Sequence, residues 1–150
     1  MQGTLVCGMT DDDSRTALET AVELSKRLGL RLVLVYVRDG IAPLADGDDD
    51  GAASVSMQAN RKGAARELAR LAAEHGVAEL AEQRAGTGDP AVVIGQIAAE
   101  EAADLILVGA RTRGRLRRGL DSRLAGQLGS ETPVPVVVAL PKLRSARMAA

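Results

Sequence analysis

The chain alternates between short apolar runs and longer stretches in which apolar residues recur every three or four positions. Three of the runs, TLVCGM (Thr4–Met9), LRLVLVYV (Leu30–Val37) and DLILVG (Asp104–Gly109), show little polar alternation. Such continuous runs are typical of strands that are buried on both faces. Two further strands are predicted. One covers about Ala78–Arg84, although this run is short of β-branched residues, and the other lies within TPVPVVVALPK (Thr132–Lys142).

The stretches between these runs predict helices. The first covers about Ser14–Leu28 and the second about Met57–His75, and each is followed by a glycine that can end a helix. A third helix begins at Pro90, with Asp89 as its N-cap. The polar segment from Arg38 to about Ser56 predicts a surface loop.

Apolar residues at helical spacing mark the face that each helix should bury. These inner stripes are Leu18, Ala21, Val22, Ser25 and Leu28 in the first helix and Ala64, Leu68, Leu71, Ala72 and His75 in the second. Leu120, Leu124 and Leu128, spaced by four, predict a short fourth helix. We expect His75, the single histidine, to serve packing and the helix dipole rather than catalysis.

Strand and helix therefore alternate four times before a closing strand, which predicts an α/β fold with a parallel sheet and helices on both faces. We expect one domain over residues 1–142 and a C-terminal tail over residues 143–150. In such folds, ligands bind at the carboxyl ends of the strands, where the strand order reverses. Two strand ends carry distinctive chemistry, GMTDDDS after the first strand and GARTRGR after the fourth.

Composition narrows the function classes. The net charge of −1, together with Tyr36 as the sole aromatic residue, argues against nucleic acid as a partner. The lone cysteine, Cys7, lies in an apolar run, where a small buried residue is expected and no intrachain disulfide can form. No apolar stretch approaches the roughly 18–20 residues that span a bilayer. We therefore expect a cytoplasmic protein with no membrane contact.

Four stretches together resemble the universal stress protein family. They are TLVCGMTDDDSRTALETAVELSKRLGLRLVLVYV, GDPAVVIGQIAAEEAADLILVGAR, GARTRGRLRRGLDSRL and TPVPVVVAL, and the second of them is the most specific. The resemblance implies a single-domain, Rossmann-like fold of the adenine-nucleotide-hydrolase type, with five parallel strands in the order 3-2-1-4-5. It also implies a small stress-response module. Some members of the family bind ATP and others do not.

At the position of the phosphate loop, this chain departs from the pattern of the ATP-binding members. That pattern is a glycine, two residues, a second glycine, nine residues, a third glycine and then serine or threonine. Gly109 matches the first position, whereas Thr112, Ser122 and Arg123 occupy the other three. Glycine permits positive φ and close approach of backbone N–H groups to a phosphate, whereas a β-branched threonine is costly at positive φ.

The sequence leaves three interpretations open. In one, arginines hold the phosphates of ATP or AMP in place of glycine amides, with Mg²⁺ as a candidate companion ion. In a second, the loop has lost its ligand and the protein acts through protein partners; an ATP-binding member with slow hydrolysis is a third alternative. No catalytic residues are predicted. The nucleotide-binding candidates are Thr10, Asp11, Val37, Val108, Gly109, Arg111, Thr112, Arg113, Ser122 and Arg123.

The resemblance also places the last strand at an edge of the sheet. Pro135 fits an edge independently, because proline cannot donate a hydrogen bond in a central ladder. An uncovered edge rich in Val134, Val136 and Val138 invites aggregation. We therefore expect a homodimer that forms through the last strand.

Overall fold

The structure is a computed structural model that describes residues 2–10, 15–38, 50–109, 111–112, 120–121 and 123–140, with the backbone alone for 50–57, 111–112, 120–121 and 123. The elements in chain order are β1 (Thr4–Met9), α1 (Arg15–Leu28), β2 (Arg31–Arg38), α2 (Asp50–Glu74), β3 (Glu82–Thr87), α3 (Pro90–Glu100), β4 (Leu105–Gly109), β5 (Arg111–Thr112), β6 (Leu120–Asp121), α4 (Arg123–Glu131) and β7 (Val136–Ala139).

Five parallel strands form the main sheet in the order β3-β2-β1-β4-β7. Since β7 is the fifth strand of this sheet, the predicted order 3-2-1-4-5 is confirmed. The closing strand lies at an edge, as Pro135 indicated. None of the helices in the described ranges has both the length and the apolar character needed to cross a bilayer.

Alternating side chains of the central strands pack into two separate cores, one on each face of the sheet. Leu5, Cys7 and Met9 of β1 lie in the core that α1 and α2 cover. Val6 points to the opposite core, which α3 covers together with Leu128 of α4. The central strands are thus buried on both faces, which explains why their sequences show no polar alternation.

The predicted helix boundaries hold where local chemistry sets them. Asp89 caps α3, because its carboxylate accepts a hydrogen bond of 3.0 Å from the backbone N–H of Ala91, and Pro90 is the first helical residue. Gly29, directly after α1, has a φ of +65°, and Gly76, two residues after the end of α2, has a φ of +69°. At positive φ glycine avoids the steric cost of a Cβ, so both residues end their helices as expected.

Three predicted elements are corrected by the structure. The third strand is Glu82–Thr87 rather than Ala78–Arg84, because a turn comes first, in which Leu80 and Ala81 donate hydrogen bonds to the carbonyl of Val77. The second helix begins at Asp50 instead of Met57, so the predicted loop is partly helical, consistent with the helix propensity of the alanines at its start. The part of that loop at 39–49 lies outside the described residues.

The fourth helix is the third correction. Leu120 lies in β6, paired with Thr112 of β5, and α4 begins only at Arg123. Cross-strand pairing of the segment before the helix therefore overrides the four-residue spacing that suggested one continuous helix. In the first helix, Leu28 was expected on the buried stripe but is 60% exposed, because it is the last helical residue before Gly29.

An ion-pair cluster that the sequence did not predict joins the amino-terminal ends of the strands to α3. Arg31, the first residue of β2, donates hydrogen bonds of 2.8 Å to Glu82 and to Glu101. Glu101 also accepts a 2.8 Å hydrogen bond from Arg84 of β3. Hydrogen bonds from Arg31 and then from Arg84 hold the pKa of Glu101 below its usual value. The cluster therefore fixes the end of α3 to two neighbouring strands.

Candidate functional site

The strand order reverses between β1 and β4. From β1 the chain passes outward to β2 and β3, and it then crosses back to place β4 on the other side of β1. The carboxyl ends of two adjacent strands consequently open toward loops that leave in opposite directions, which is where α/β sheets bind ligands. Gly8 of β1 lies at this point, in register with Val35 of β2 and Val108 of β4.

Val37 and Val108, two of the nucleotide-binding candidates, belong to one face of the sheet at this end. Val37 and Val108 are both fully buried in the core under α3, with β1 between their strands. Strands two apart are separated by about 9–10 Å. The register that pairs Met9 with Tyr36 continues to bring Thr10 level with Val37. Thr10 is half-buried, as is Gly109 at the end of β4.

The phosphate-loop segment folds as a two-stranded antiparallel ribbon. Arg111 pairs in register with Asp121, and Thr112 pairs with Leu120. Among the described residues other than glycine, only Ala102 has positive φ, so Thr112 has an ordinary extended backbone that suits a β-branched side chain. At this position the loop does not use the positive-φ glycine turn of the family pattern.

Arg123 is the first residue of α4, the place at which the family pattern has its hydroxyl residue. Helix α4 packs on α3 and on β7. The structure thus brings Thr10, Val37, Val108 and Gly109 to one edge of the sheet, with the ribbon and the start of α4 following β4. The remaining candidates, Asp11, Arg113 and Ser122, lie outside the described residues.

Arg38 is a residue of this edge that the sequence interpretation assigned to a loop. It ends β2 directly after Val37, and its carbonyl accepts a 3.3 Å hydrogen bond from the N–H of Gly88. Its guanidinium lies against Gly63 of α2, where any Cβ would collide with it. The one sequence signal that could have assigned Arg38 to this edge is its position as a basic residue immediately after a buried apolar run.

The positive charge of Arg38 also acts on a carboxylate of α2. The pKa of Glu67 is lowered, chiefly by its hydrogen bonds from Arg70 and further by the charges of Arg38 and Arg15. In the ranges that the structure describes, no three acidic, histidine or cysteine side chains come close enough to hold a metal ion. The described part of the edge combines the buried side chains of Val37 and Val108 with the guanidinium of Arg38.

Comparisons with known proteins agree with the observed fold. The Usp family, described as the universal stress protein family, matches residues 1–139. No curated protein sequence matches the chain significantly. Many solved structures do resemble it. The universal stress protein UspA from Lactobacillus plantarum is 21% identical with a TM-score of 0.70, over 93% of this chain and 99% of that one.

Two further solved structures extend the comparison. A universal stress protein family member from Burkholderia pseudomallei is 25% identical with a TM-score of 0.63, over 91% of this chain and 94% of that one. A universal stress protein in complex with cAMP is 18% identical with a TM-score of 0.55, over 91% of this chain and 95% of that one. With the family match over nearly the whole described fold, the chain belongs to the universal stress protein family.

Proposed function

We propose that this protein binds an adenine nucleotide, ATP or AMP, weakly at the carboxyl ends of β1 and β4. The observation that carries the proposal is the reversal of strand order at Gly8, where buried Val37 and Val108 flank β1 and the ribbon that begins at Arg111 follows β4. Apolar walls suit the base, and guanidinium groups suit the phosphates. A solved relative of the same fold is a complex with cAMP, which supports an adenine ligand.

Arginine replaces glycine as the phosphate-holding residue in this proposal. Arg111 and Arg113 contact the phosphates, Arg123 adds charge at the start of α4, and Asp11 contacts the sugar, with Thr10 beside it. Thr112 in an extended strand means that the backbone of β5 does not wrap the phosphate. Binding therefore depends on charge, and we expect micromolar to millimolar affinity, roughly 4–8 kcal/mol, that falls as salt rises.

Isothermal titration calorimetry with ATP and AMP, with and without Mg²⁺ and at low and high salt, tests the proposal. Loss of one charge-assisted hydrogen bond costs about 1.5–3 kcal/mol, so Arg111→Ala should weaken binding roughly 10- to 100-fold. The matched control is Arg66→Ala, which removes an exposed arginine of α2. Its affinity for ATP should stay within about twofold of that of the wild type.

The opposite result would be a wild-type protein that gives no binding heat. If the triple variant Thr112→Gly, Ser122→Gly, Arg123→Ser then gains ATP binding, the natural loop is a degenerate version of the glycine loop and arginine capture is wrong. ATP turnover measured on the same samples identifies slow hydrolysis, the third alternative from the sequence.

A second candidate function is that of a homodimeric regulatory protein that acts through protein partners in the cytoplasm. The edge position of β7 favours it, because an edge strand presents unpaired backbone groups that another strand can satisfy. Half-buried Val136 and Val138 pack toward α3 and α4, whereas Val137 is exposed on the other face. The two candidates are compatible, since the edge of β7 and the switch point use different residues.

A further inference from the structure

A basic groove of about 430 Å³ lies between α2 and the edge strand β3, away from the switch point. Helix α2 contributes Gln58, Arg61, Lys62 and Ala65, and β3 contributes the consecutive residues 83–85. Successive side chains of a strand point to opposite faces, so three consecutive lining residues mean that the groove runs along the outer edge of the strand. The backbone of that edge is therefore accessible from the groove.

No described strand covers this edge. Strand β3 pairs with β2 on one side only, and it lies at the end of the sheet opposite to β7. The small side chains of Ala65 and Ala85 leave room beside its backbone. An edge strand with an open flank can accept a further strand through main-chain hydrogen bonds.

The charge of the groove comes from α2. Arg61 and Lys62 are exposed and form no ion pair with any residue that the structure describes. By contrast, Arg84 is neutralised from the α3 side by Glu100 at 2.5 Å and Glu101 at 2.8 Å. A ligand would therefore meet two uncompensated cations on the α2 side of β3 and paired carboxylates on the α3 side.

We propose that this groove binds an extended acidic peptide, which adds a strand beside β3 and places its carboxylates against Arg61 and Lys62. The accessible strand edge selects a peptide, because only a peptide can continue the main-chain ladder. The charges select its side chains: acidic residues should face α2, and neutral residues should face Glu100 and Glu101. Alternation of acidic and neutral residues, with the period of a strand, is thus the expected recognition pattern.

The test measures the fluorescence anisotropy of a fluorescein-labelled heptapeptide of alternating threonine and glutamate as the protein is added. The variant Arg61→Ala/Lys62→Ala should weaken binding roughly fivefold to tenfold, since each exposed ion pair contributes little alone. The matched control is Lys26→Ala/Arg27→Ala, which removes the same two charges from adjacent positions of α1. Thermal unfolding monitored by circular dichroism confirms that both variants are folded.

Main-chain pairing is tested separately from charge. The peptide is N-methylated at every second residue in both frames, and one frame should lose binding because it lacks the N–H groups that face β3. Hydrogen exchange should slow at residues 83–85 when the unmodified peptide is added. Binding of the lysine version of the peptide, equal binding by both methylated frames, or an equal loss in the α1 control would each overturn the proposal. Tighter binding of a single-stranded oligonucleotide at the same residues would overturn it as well.

Discussion

Gly8 shows how one missing side chain sets the spacing at the switch point. A Cβ at this position would lie 2.5 Å from Cδ1 and 3.1 Å from Cγ1 of Ile94, so α3 can approach β1 only over a glycine. Gly8→Ala should therefore lower the free energy of unfolding by about 1–3 kcal/mol through overpacking. Urea denaturation of the purified variant measures this loss.

Two variants make the explanation for Gly8 specific. Ile94→Val removes the Cδ1 atom, so the double variant with Gly8→Ala should be more stable than the sum of the two single effects predicts. Gly126 is an exposed residue of α4 with open space around it, so Gly126→Ala should stabilise the protein by about 0.5–1 kcal/mol. Additive effects of Gly8→Ala and Ile94→Val would show that Ile94 is not the obstacle.

Cys7 illustrates a residue whose chemistry is suppressed by its position. It is buried in the core on the α1 side, and burial raises the pKa of its thiol to about 12. The thiolate is the reactive form, so the native protein should resist thiol-specific reagents at pH 8. The chain should become fully labelled in denaturant. Rapid stoichiometric labelling of protein that keeps its circular dichroism spectrum would contradict this prediction.

At the scale of elements, the sequence predicted those whose boundaries depend on local chemistry. Asp89, Pro90, Gly29 and Gly76 set helix ends through their own side chains or backbone freedom, and these ends were placed correctly. The start of β3 at Glu82 depends instead on a turn after Val77 and on the ladder with β2. Neither leaves a periodic signal, which is why this strand was placed too early.

The candidate site was predictable to a lesser degree for a related reason. The burial of Val37 and Val108 could be predicted, since continuous apolar runs indicate strands that are buried on both faces. The ribbon that pairs Arg111 with Asp121 could not, because its two strands are only two residues long each and carry no alternation. Arg38 also escaped notice, because its contact with Gly63 joins elements that are far apart in the sequence.

Glu101 links the end of α3 to the sheet, and its contribution should depend on pH. Its pKa is lower in the folded protein than the value of about 4.3 in an unfolded chain, so its stabilisation is complete above that value and disappears as pH falls through the folded pKa. Arg31 is 40% exposed and Arg84 33% exposed, so solvent screening limits the effect. Glu101→Gln should cost about 1 kcal/mol at pH 7.

Unfolding experiments at several pH values test the role of Glu101. The difference in stability between wild type and Glu101→Gln should shrink as the pH drops from about 5 to about 3. Glu100→Gln is the control, since Glu100 is 59% exposed and, among the described residues, forms an ion pair with Arg84 alone; it should change stability by less than about 0.5 kcal/mol. A difference that is independent of pH would assign the effect of Glu101 to packing rather than to charge.

At the scale of the whole molecule, the two edges of the sheet differ in chemistry. Strand β3 at one edge reads EQRAGT, whereas β7 at the other reads VVVA. Charged and polar side chains protect an edge from uncontrolled pairing, whereas a bare valine edge requires a cover. The contrast favours β7 over β3 as the edge of the proposed homodimer.

The proposed homodimer can be tested with one charge on that edge. Val137 is 37% exposed on β7 and faces away from the core under α3 and α4, so Val137→Lys adds charge to the edge with little loss of packing. We expect the wild type to scatter light with twice the monomer mass at micromolar concentration, and Val137→Lys to scatter as a folded monomer, because two lysines would meet across the joined edges. Leu28→Lys changes a residue of α1 that is 60% exposed and should leave the dimer intact. A monodisperse wild-type monomer would rule out the dimer, and a dimeric Val137→Lys variant would place the interface elsewhere.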